Sequence, residues 1–317
     1  MTKVFIDGSA GTTGLNIHDR LAKRTDIELI TLPEDLRKDT SARADALNSA
    51  DIAFLCLPDE AAKQAVELVE NPKTVIIDTS TAHRTSEGWT YGFPELRGQR
   101  EKVKKAKRIA NPGCHASGFI ALVAPLVEKR VISRKAVLSC FSITGYSGGG
   151  KKMIAQYEAP DRDPLLEAPR LYGLEEKHKH VPEMMKYTGL ENTPAFCPIA
   201  CDFYSGMETI ITITRAQTST TAKEIEELYQ KYYPKKMVHF SRRASEDGFV
   251  SAAKYSGRDD MEITVQGSDD RIILISRFDN LGKGACGAAI QNMNLVLGLD
   301  ESYGLILKNK DDDEEAL

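Results

Sequence analysis

Val4-Phe5-Ile6-Asp7-Gly8-Ser9-Ala10-Gly11-Thr12-Thr13-Gly14 carries a short apolar strand straight into a turn with glycine at every third position. A helical stretch follows to about Lys23. Glycines so spaced let the backbone turn tightly and approach a pyrophosphate, whose charge the N-terminus of the next helix meets. Gly8, Ser9, Ala10, Gly11, Thr12, Thr13 and Gly14 are therefore a candidate dinucleotide loop; the bland alternative is a plain strand-to-helix turn. The alternation continues outward from this point. Ile27 to Leu32 reads as a second strand, residues 40–49 as an alanine-rich helix, and 51–57 as a third strand with the unbroken apolarity of a buried parallel strand. A helix over about 59–69 and the strand Thr74 to Asp78 complete the series. Strands alternating with helices of this length predict a doubly wound, Rossmann-type parallel sheet.

The second strand ends at Leu32-Pro33 without an acid at its tip to hold a ribose 2′-hydroxyl. Glu34 and Asp35 come just after, then Arg37 and Lys38. Two cations suit a 2′-phosphate and favour NADP over NAD, although they are equally compatible with a solvated loop.

From about residue 134 the texture changes. Longer alternating runs at 136–144, 208–214, 261–266 and 271–278 have fewer helices between them, and 221–233 is an amphipathic helix. This predicts a second, α+β domain with a mostly antiparallel sheet. An apolar helix over about 285–297 is free to dock back onto the first domain. The implied division is 1–113 plus a C-terminal segment of about 285–317, against 114–284.

At 317 residues, 41% hydrophobic and 28% charged, the chain has the composition of an ordinary globular protein. A net charge of −4 argues against a nucleic-acid surface. No apolar run approaches the roughly 20 residues that span a bilayer, and no signal peptide is expected. The six cysteines show no CxxC pair, which points to a reducing, cytoplasmic compartment. The run Lys308 to Glu315 reads as a solvated, charged end.

Chemistry concentrates at Asn111-Pro112-Gly113-Cys114. Apolar spacing puts Phe119, Leu122, Val123 and Leu126 on one face of a helix, so Cys114 falls in its first turn. Unpaired N–H groups and the helix dipole stabilise a thiolate there, which makes a nucleophile at neutral pH. The alternative is a small buried hydrophobe. Downstream, His178-Lys179-His180-Val181-Pro182-Glu183 sets two imidazoles beside a carboxylate. HxH alone supplies too few ligands for zinc, so no metal is expected. One histidine as acid/base partner of Cys114, oriented by Glu183, is the better reading.

Ser147-Gly148-Gly149-Gly150-Lys151-Lys152 reads as a flexible loop able to hold an anion. In Asp78-Thr79-Ser80-Thr81-Ala82-His83-Arg84, beyond the end of a sheet strand, Arg84 is a candidate carboxylate clamp or a surface ion pair. Asp279-Asn280-Leu281-Gly282-Lys283-Gly284 is a second glycine-rich lead into a helix, with amides at Gln291 and Asn292 suited either to a nicotinamide or to capping.

With these segments, and with Cys56-Leu57-Pro58-Asp59 and Tyr91-Gly92-Phe93-Pro94-Glu95-Leu96, the chain resembles the shorter subfamily of N-acetyl-gamma-glutamyl-phosphate reductases of arginine biosynthesis. The resemblance implies a fold like those of semialdehyde and glyceraldehyde-phosphate dehydrogenases. It implies attack of Cys114 on an acyl phosphate, a thioester, and reduction by NADPH to N-acetyl-L-glutamate 5-semialdehyde. It assigns the acid/base role to His178, with His180 a close second and Glu183 beside them. It implies cofactor contacts at the glycine loop, Arg37, Lys38, Leu57, Pro58, Ser80, Asn280, Gly282, Lys283 and Gly284. Substrate contacts fall at Arg84, Asn111, Ser147, Gly148, Gly149 and Lys151, and a homodimer or homotetramer is implied. The chain has Ser147-Gly148-Gly149-Gly150 where the family often has Ser-Gly-Ala-Gly. Two other readings are an aspartate-semialdehyde dehydrogenase with the same chemistry and a non-catalytic NADP-binding regulator.

Overall fold

The computed structural model describes residues 1–307. The charged end and the last part of the segment assigned to the first domain lie outside the described residues. The chain divides into two compact units, Met1–Gly113 with Ala285–Leu305, and Cys114–Gly284 joined by the chain at Ile306.

The first unit runs β1 (Thr2–Asp7), α1 (Thr12–Leu21), β2 (Ile27–Ile30), α2 (Thr40–Ser49), β3 (Ile52–Leu55), α3 (Asp59–Glu67), β4 (Val75–Asp78), β5 (Thr90–Tyr91), α4 (Gln99–Lys105) and β6 (Arg108–Ala110). The strands form one sheet in the order β2-β1-β3-β4-β6-β5, and every pairing is parallel. Period-two alternation gives the sheet two cores. Val4, Ile6, Phe54 and Ile77 face one helical layer with Ile17 and Leu21, and Phe5, Ala53, Leu55 and Ile76 face the other with Leu47 and Ala62. Burial on both faces explains the continuous apolarity of these strands.

The second unit holds α5 (Cys114–Glu128), β7 (Ser139–Gly145), α6 (Gly150–Tyr157), β8 (Arg170–Leu171), α7 (Val181–Thr188), β9 (Ala195–Cys201), β10 (Met207–Thr214), α8 (Ala222–Tyr232), β11 (Val238–Phe240), β12 (Met261–Ser268) and β13 (Arg271–Phe278). Its sheet has the order β11-β12-β13-β10-β7-β9-β8. Two pairings, β11 with β12 and β7 with β9, are parallel, so the sheet is mixed with antiparallel pairing in the majority. The chain then returns to the first unit with α9 (Gly287–Val296), which adds Ala289, Ile290 and Met293 to the core containing Val4 and Ile6.

Every residue of α5 from His115 to Leu126 is buried, because α7 and α8 enclose what β10 and β13 leave open. One local expectation needs correction: the 147–152 stretch is not a flexible loop. Tyr146–Gly149 is a 3-10 turn running into α6, with Gly150 at φ 69° at the junction. Ser147 is buried, its N–H donates to the Tyr204 carbonyl at 3.0 Å, and Asn280 Nδ2 donates to its hydroxyl at 3.0 Å.

Inside α5, Pro125 has no N–H for the Ala121 carbonyl one turn earlier. The buried Tyr233 hydroxyl donates to that carbonyl at 2.7 Å instead. Tyr233→Phe strands a buried acceptor and is expected to destabilise this unit by about 1–3 kcal/mol, read as a fall in its denaturant midpoint.

Candidate active site

In the first unit, β1 ends at Asp7 and the chain turns at Gly8, whose φ of +86° and approach to the Cys56 carbonyl leave no space for a Cβ. Gly11 precedes α1, and Thr12, Thr13 and Gly14 form its first turn. Beside this turn lies a cavity of about 500 Å3. Gly8, Ser9, Ala10 and Leu57 line one side of it and Leu32, Arg37 and Lys38 the other. It opens where the strand order reverses around β1, the place that sheets of this type reserve for ligands. A turn shaped for close backbone approach, an apolar wall and two exposed cations fit a dinucleotide carrying a 2′-phosphate.

Sequence reasoning passed over Arg43, on α2. Its guanidinium donates to the buried Asp7 carboxylate from Nη2 at 2.7 Å and from Nε at 3.1 Å, and both residues line the cavity. The pairing neutralises an acid that would otherwise repel a phosphate, and nothing in the one-dimensional pattern signals it.

Several other candidates in this unit are engaged by the protein itself. Pro58 is the residue before α3 and Leu57 faces the cavity. The Ser80 hydroxyl donates to Asp78 at 2.8 Å, and His83 Nδ1 lies 2.7 Å from the same carboxylate. Arg84 is not an extended clamp: it is buried and donates from Nε to the Asn111 carbonyl at 2.9 Å and from Nη2 to the Thr79 carbonyl at 3.1 Å. Asn111 likewise does not present its amide. Its Nδ2 donates to the Ala285 carbonyl at 3.0 Å and its Oδ1 accepts from Asn292 at 3.2 Å. Both residues thus brace the turn that leads to Cys114. The Gln291 amide donates to Glu95 and Glu301, each at 2.8 Å, and Asn292 also donates to the Gly92 carbonyl. These amides hold the fold, so the nicotinamide reading of them falls away.

In the second unit, Cys114 is the first residue of α5 and is half-buried. Gly284 makes room for it, since a Cβ there would stand 2.9 Å from the Cys114 Cβ. Gly282 is needed by the Arg258 carbonyl in the same way, and Lys283 is fully buried. Asn280, Gly282, Lys283 and Gly284 therefore belong structurally to this unit, shaping the surroundings of Cys114 and of Ser147. Gly148 and Gly149 are exposed beside Ser147, and Lys151 is exposed on α6.

His178 and His180 come together with a third ring that the sequence reading did not single out, His115. The ring centroids of His115 lie 5.4 Å from His178 and 5.6 Å from His180, and the latter two are 4.7 Å apart. Tyr172, just beyond β8, lies 5.8 Å from His178. His180 and Glu183 are buried at the start of α7, where Pro182 suits the first turn, and His178 is half-buried before it. His178 Nδ1 accepts from the His180 backbone N–H at 3.2 Å, so the neutral ring carries its proton on Nε2. The only sequence signal for His115 is its place beside the cysteine, and Tyr172 gave none. Among the described residues no group of three or more His, Cys, Asp or Glu side chains is arranged to hold a metal ion. A nucleophile at a helix N-terminus, with a cluster of imidazoles and a phenol in the same unit, is equipped for acyl transfer.

Known proteins match this arrangement. The family model described as semialdehyde dehydrogenase, NAD binding domain, matches residues 3–106, and the one described as semialdehyde dehydrogenase, dimerisation domain, matches 114–280. An N-acetyl-gamma-glutamyl-phosphate reductase 2 of Nostoc sp. is 42% identical, over 96% of this chain and 99% of that one. An N-acetyl-gamma-glutamyl-phosphate reductase of Brucella anthropi is 45% identical, over 93% and 98%. Among solved structures, aspartate semialdehyde dehydrogenase II of Vibrio cholerae superposes with a TM-score of 0.70 at 14% identity, covering 94% of this chain and 98% of that one. The aspartate semialdehyde dehydrogenase of Candida albicans, solved with NADP, gives 0.66 at 14%, covering 94% and 98%. At such identities the structures share the fold alone, whereas the sequence relatives match nearly end to end: the chain belongs to the N-acetyl-gamma-glutamyl-phosphate reductase family.

Proposed function

We infer that this protein reduces N-acetyl-L-glutamyl 5-phosphate to N-acetyl-L-glutamate 5-semialdehyde and phosphate with NADPH, a step of L-arginine biosynthesis. The observation that carries the reading is family membership at 42–45% identity over more than nine-tenths of the chain, with Cys114 at the N-terminus of a buried helix. The Cys114 thiolate attacks the acyl carbon, the C–O bond to phosphate breaks, and a thioester forms on the sulfur. A bound dinucleotide supplies hydride to the thioester carbon. His178 Nε2–H donates to the oxygen as it becomes negative, and collapse of the thiohemiacetal returns the thiolate and frees the aldehyde. Glu183 steadies the histidine segment at the start of α7. Gly148 and Gly149, exposed beside the buried Ser147, and Lys151 offer backbone N–H groups and one cation to an anionic substrate.

The test is trapping. Acyl phosphate without NADPH should add an N-acetylglutamyl mass at Cys114, and later NADPH should release semialdehyde. Faster turnover of aspartate semialdehyde, in the oxidative direction with phosphate and NADP, would instead favour the aspartate-semialdehyde reading, which rests on fold-level likeness only.

The glycine loop, Arg37 and Lys38 hold the cofactor in this reading. Replacing both cations by alanine removes charge-assisted bonds to the 2′-phosphate and should weaken NADPH by about 10- to 100-fold while leaving NADH unchanged, measured by fluorescence titration.

The second unit's sheet carries helices on one face. The other face presents Phe141, 45% exposed, with Ile143, Ile210 and Ile273 half-buried. With a matching dimerisation domain, this face is the proposed seam of a homodimer, or of a tetramer built from such pairs. Phe141→Lys should shift the sedimenting species toward monomer. All six cysteines are free thiols, which suits a reducing, cytoplasmic setting. Among the described residues no helix is long and apolar enough to cross a membrane.

A further inference from the structure

With Arg84 and Asn111 engaged by backbone carbonyls, the α-carboxylate of the substrate needs another partner, and the second unit holds a cation suited to it. Arg170 opens β8 and is half-buried. Its Nε and Nη2 donate to the Tyr157 hydroxyl at 3.2 Å and 3.0 Å, and its guanidinium carbon lies 5.2 Å from the centre of the same ring. Tyr157, on α6, is 2% exposed, so a buried phenol fixes one edge of the guanidinium. Both bonds run to a neutral group. Among the described residues no carboxylate pairs with Arg170, whereas Arg162 on the same side of the unit's α6 is paired with Asp202 at 2.7 Å. A guanidinium carries more N–H donors than these two bonds use, and the edge away from Tyr157 is left for a ligand.

Sheet register places Arg170 beside the reacting groups. The pairs Phe278–Met207, Met207–Thr144, Thr144–Ala200 and Ala200–Arg170 form one row across β13, β10, β7, β9 and β8. Residues paired in this way share a face of the sheet. At one end of the row, a Cβ on Gly284 would stand 2.9 Å from the Cys114 Cβ and 3.4 Å from Phe278 Cε2. Over its middle, a Cβ on Gly148 would stand 3.1 Å from the Thr144 hydroxyl. Only the small Ala200 separates Thr144 from Arg170 in the row. Tyr157 reaches the same turn, stacking at 4.7 Å on Tyr146, the residue before Ser147. Along β8, Leu171 points to the opposite face and is 49% exposed, while Tyr172 returns to the face of Arg170 and lies 2.7 Å from Nε2 of His115, which follows Cys114.

We propose that Arg170 is the specificity-determining clamp for the α-carboxylate of the acyl phosphate, with Tyr157 as the residue that positions its fork. The two anions of the substrate then have separate partners. Gly148, Gly149 and the exposed Lys151 take the phosphate, which departs when the thioester forms. The carboxylate stays bound through hydride transfer and needs a partner whose geometry does not relax. A planar fork matches a carboxylate bidentately, and the buried phenol holds it in place before the substrate arrives. The inference rests on the reading of N-acetyl-L-glutamyl 5-phosphate as the substrate.

The experiment compares two substrates on the full-length enzyme with NADPH: N-acetyl-L-glutamyl 5-phosphate, and 4-acetamidobutyryl phosphate, the same molecule without its α-carboxylate. Arg170→Met should lower kcat/KM for the first by about 10- to 100-fold, carried mainly by KM, the loss of hydrogen bonds between charged groups. For the second, already the poorer substrate of the wild type, it should change nothing. Arg170→Lys keeps the charge and the stem but not the fork, and should show the same selective loss to a smaller extent. An equal fall for both substrates in either variant overturns the proposal, because it assigns Arg170 to the phosphate or to the packing of Tyr157, which both substrates share. Unchanged rates for both overturn it as well. The parent reading fails separately: the wild-type enzyme would then take up no acyl mass from N-acetyl-L-glutamyl 5-phosphate, and the clamp would fall with it.

Discussion

Cys114→Ala is expected to lower turnover by at least about 10^4-fold while leaving NADPH binding intact, because the covalent route disappears with its nucleophile. The separation follows from where the groups sit. Cys114 opens α5 in the second unit, whereas Gly8, Leu57, Arg37 and Lys38 line a cavity built entirely from the first. Steady-state rates with acyl phosphate and NADPH, alongside a fluorescence titration of NADPH, read both halves of the result. Retained turnover in this variant would falsify the thioester mechanism.

His178→Gln is expected to lower kcat by about 10^2- to 10^4-fold, the usual range for loss of a positioned proton donor. Three imidazoles share the site, and the structure distinguishes them. His115 is buried, neutral and bonded at both nitrogens. His180 is 5% exposed and precedes α7, where its carbonyl accepts from the Met184 N–H at 3.1 Å. His178 is half-buried, with Nδ1 occupied by a backbone donor and its proton therefore on Nε2. His180→Gln should cost less in kcat and more in stability. The reverse ranking, measured by stopped-flow reduction of the preformed thioester together with thermal midpoints, would exchange the two assignments.

Much of the fold is legible in one dimension because its signals are local. The strand–glycine–helix start, the helix at 40–49 and the buried strand at 52–55 follow from turn chemistry and apolar runs, and they appear where the pattern puts them. Elements without a local signal went unread. The two-residue strands β5 and β8 exist only because a neighbour pairs with them. Periodicity likewise registers the most apolar face of α5 and does not reveal what covers the others.

The candidate site divides in the same way. The sequence by itself determined the reaction class, since a cysteine at a helix start, a glycine loop and a histidine segment each carry their chemistry in their own few residues. Only the tertiary structure decided which polar groups are available for it. Arg84, Asn111 and Ser80 have the right side chains for ligands, but burial obliges Arg84 and Asn111 to satisfy carbonyls far along the chain and Ser80 to satisfy the nearby Asp78 carboxylate. His115 and Tyr172 acquire their place for the complementary reason, because a hydrogen bond across 57 residues joins the histidine that follows Cys114 to the tyrosine. Side-chain type is a property of the sequence, whereas hydrogen-bond satisfaction and burial are properties of neighbours that only folding brings together.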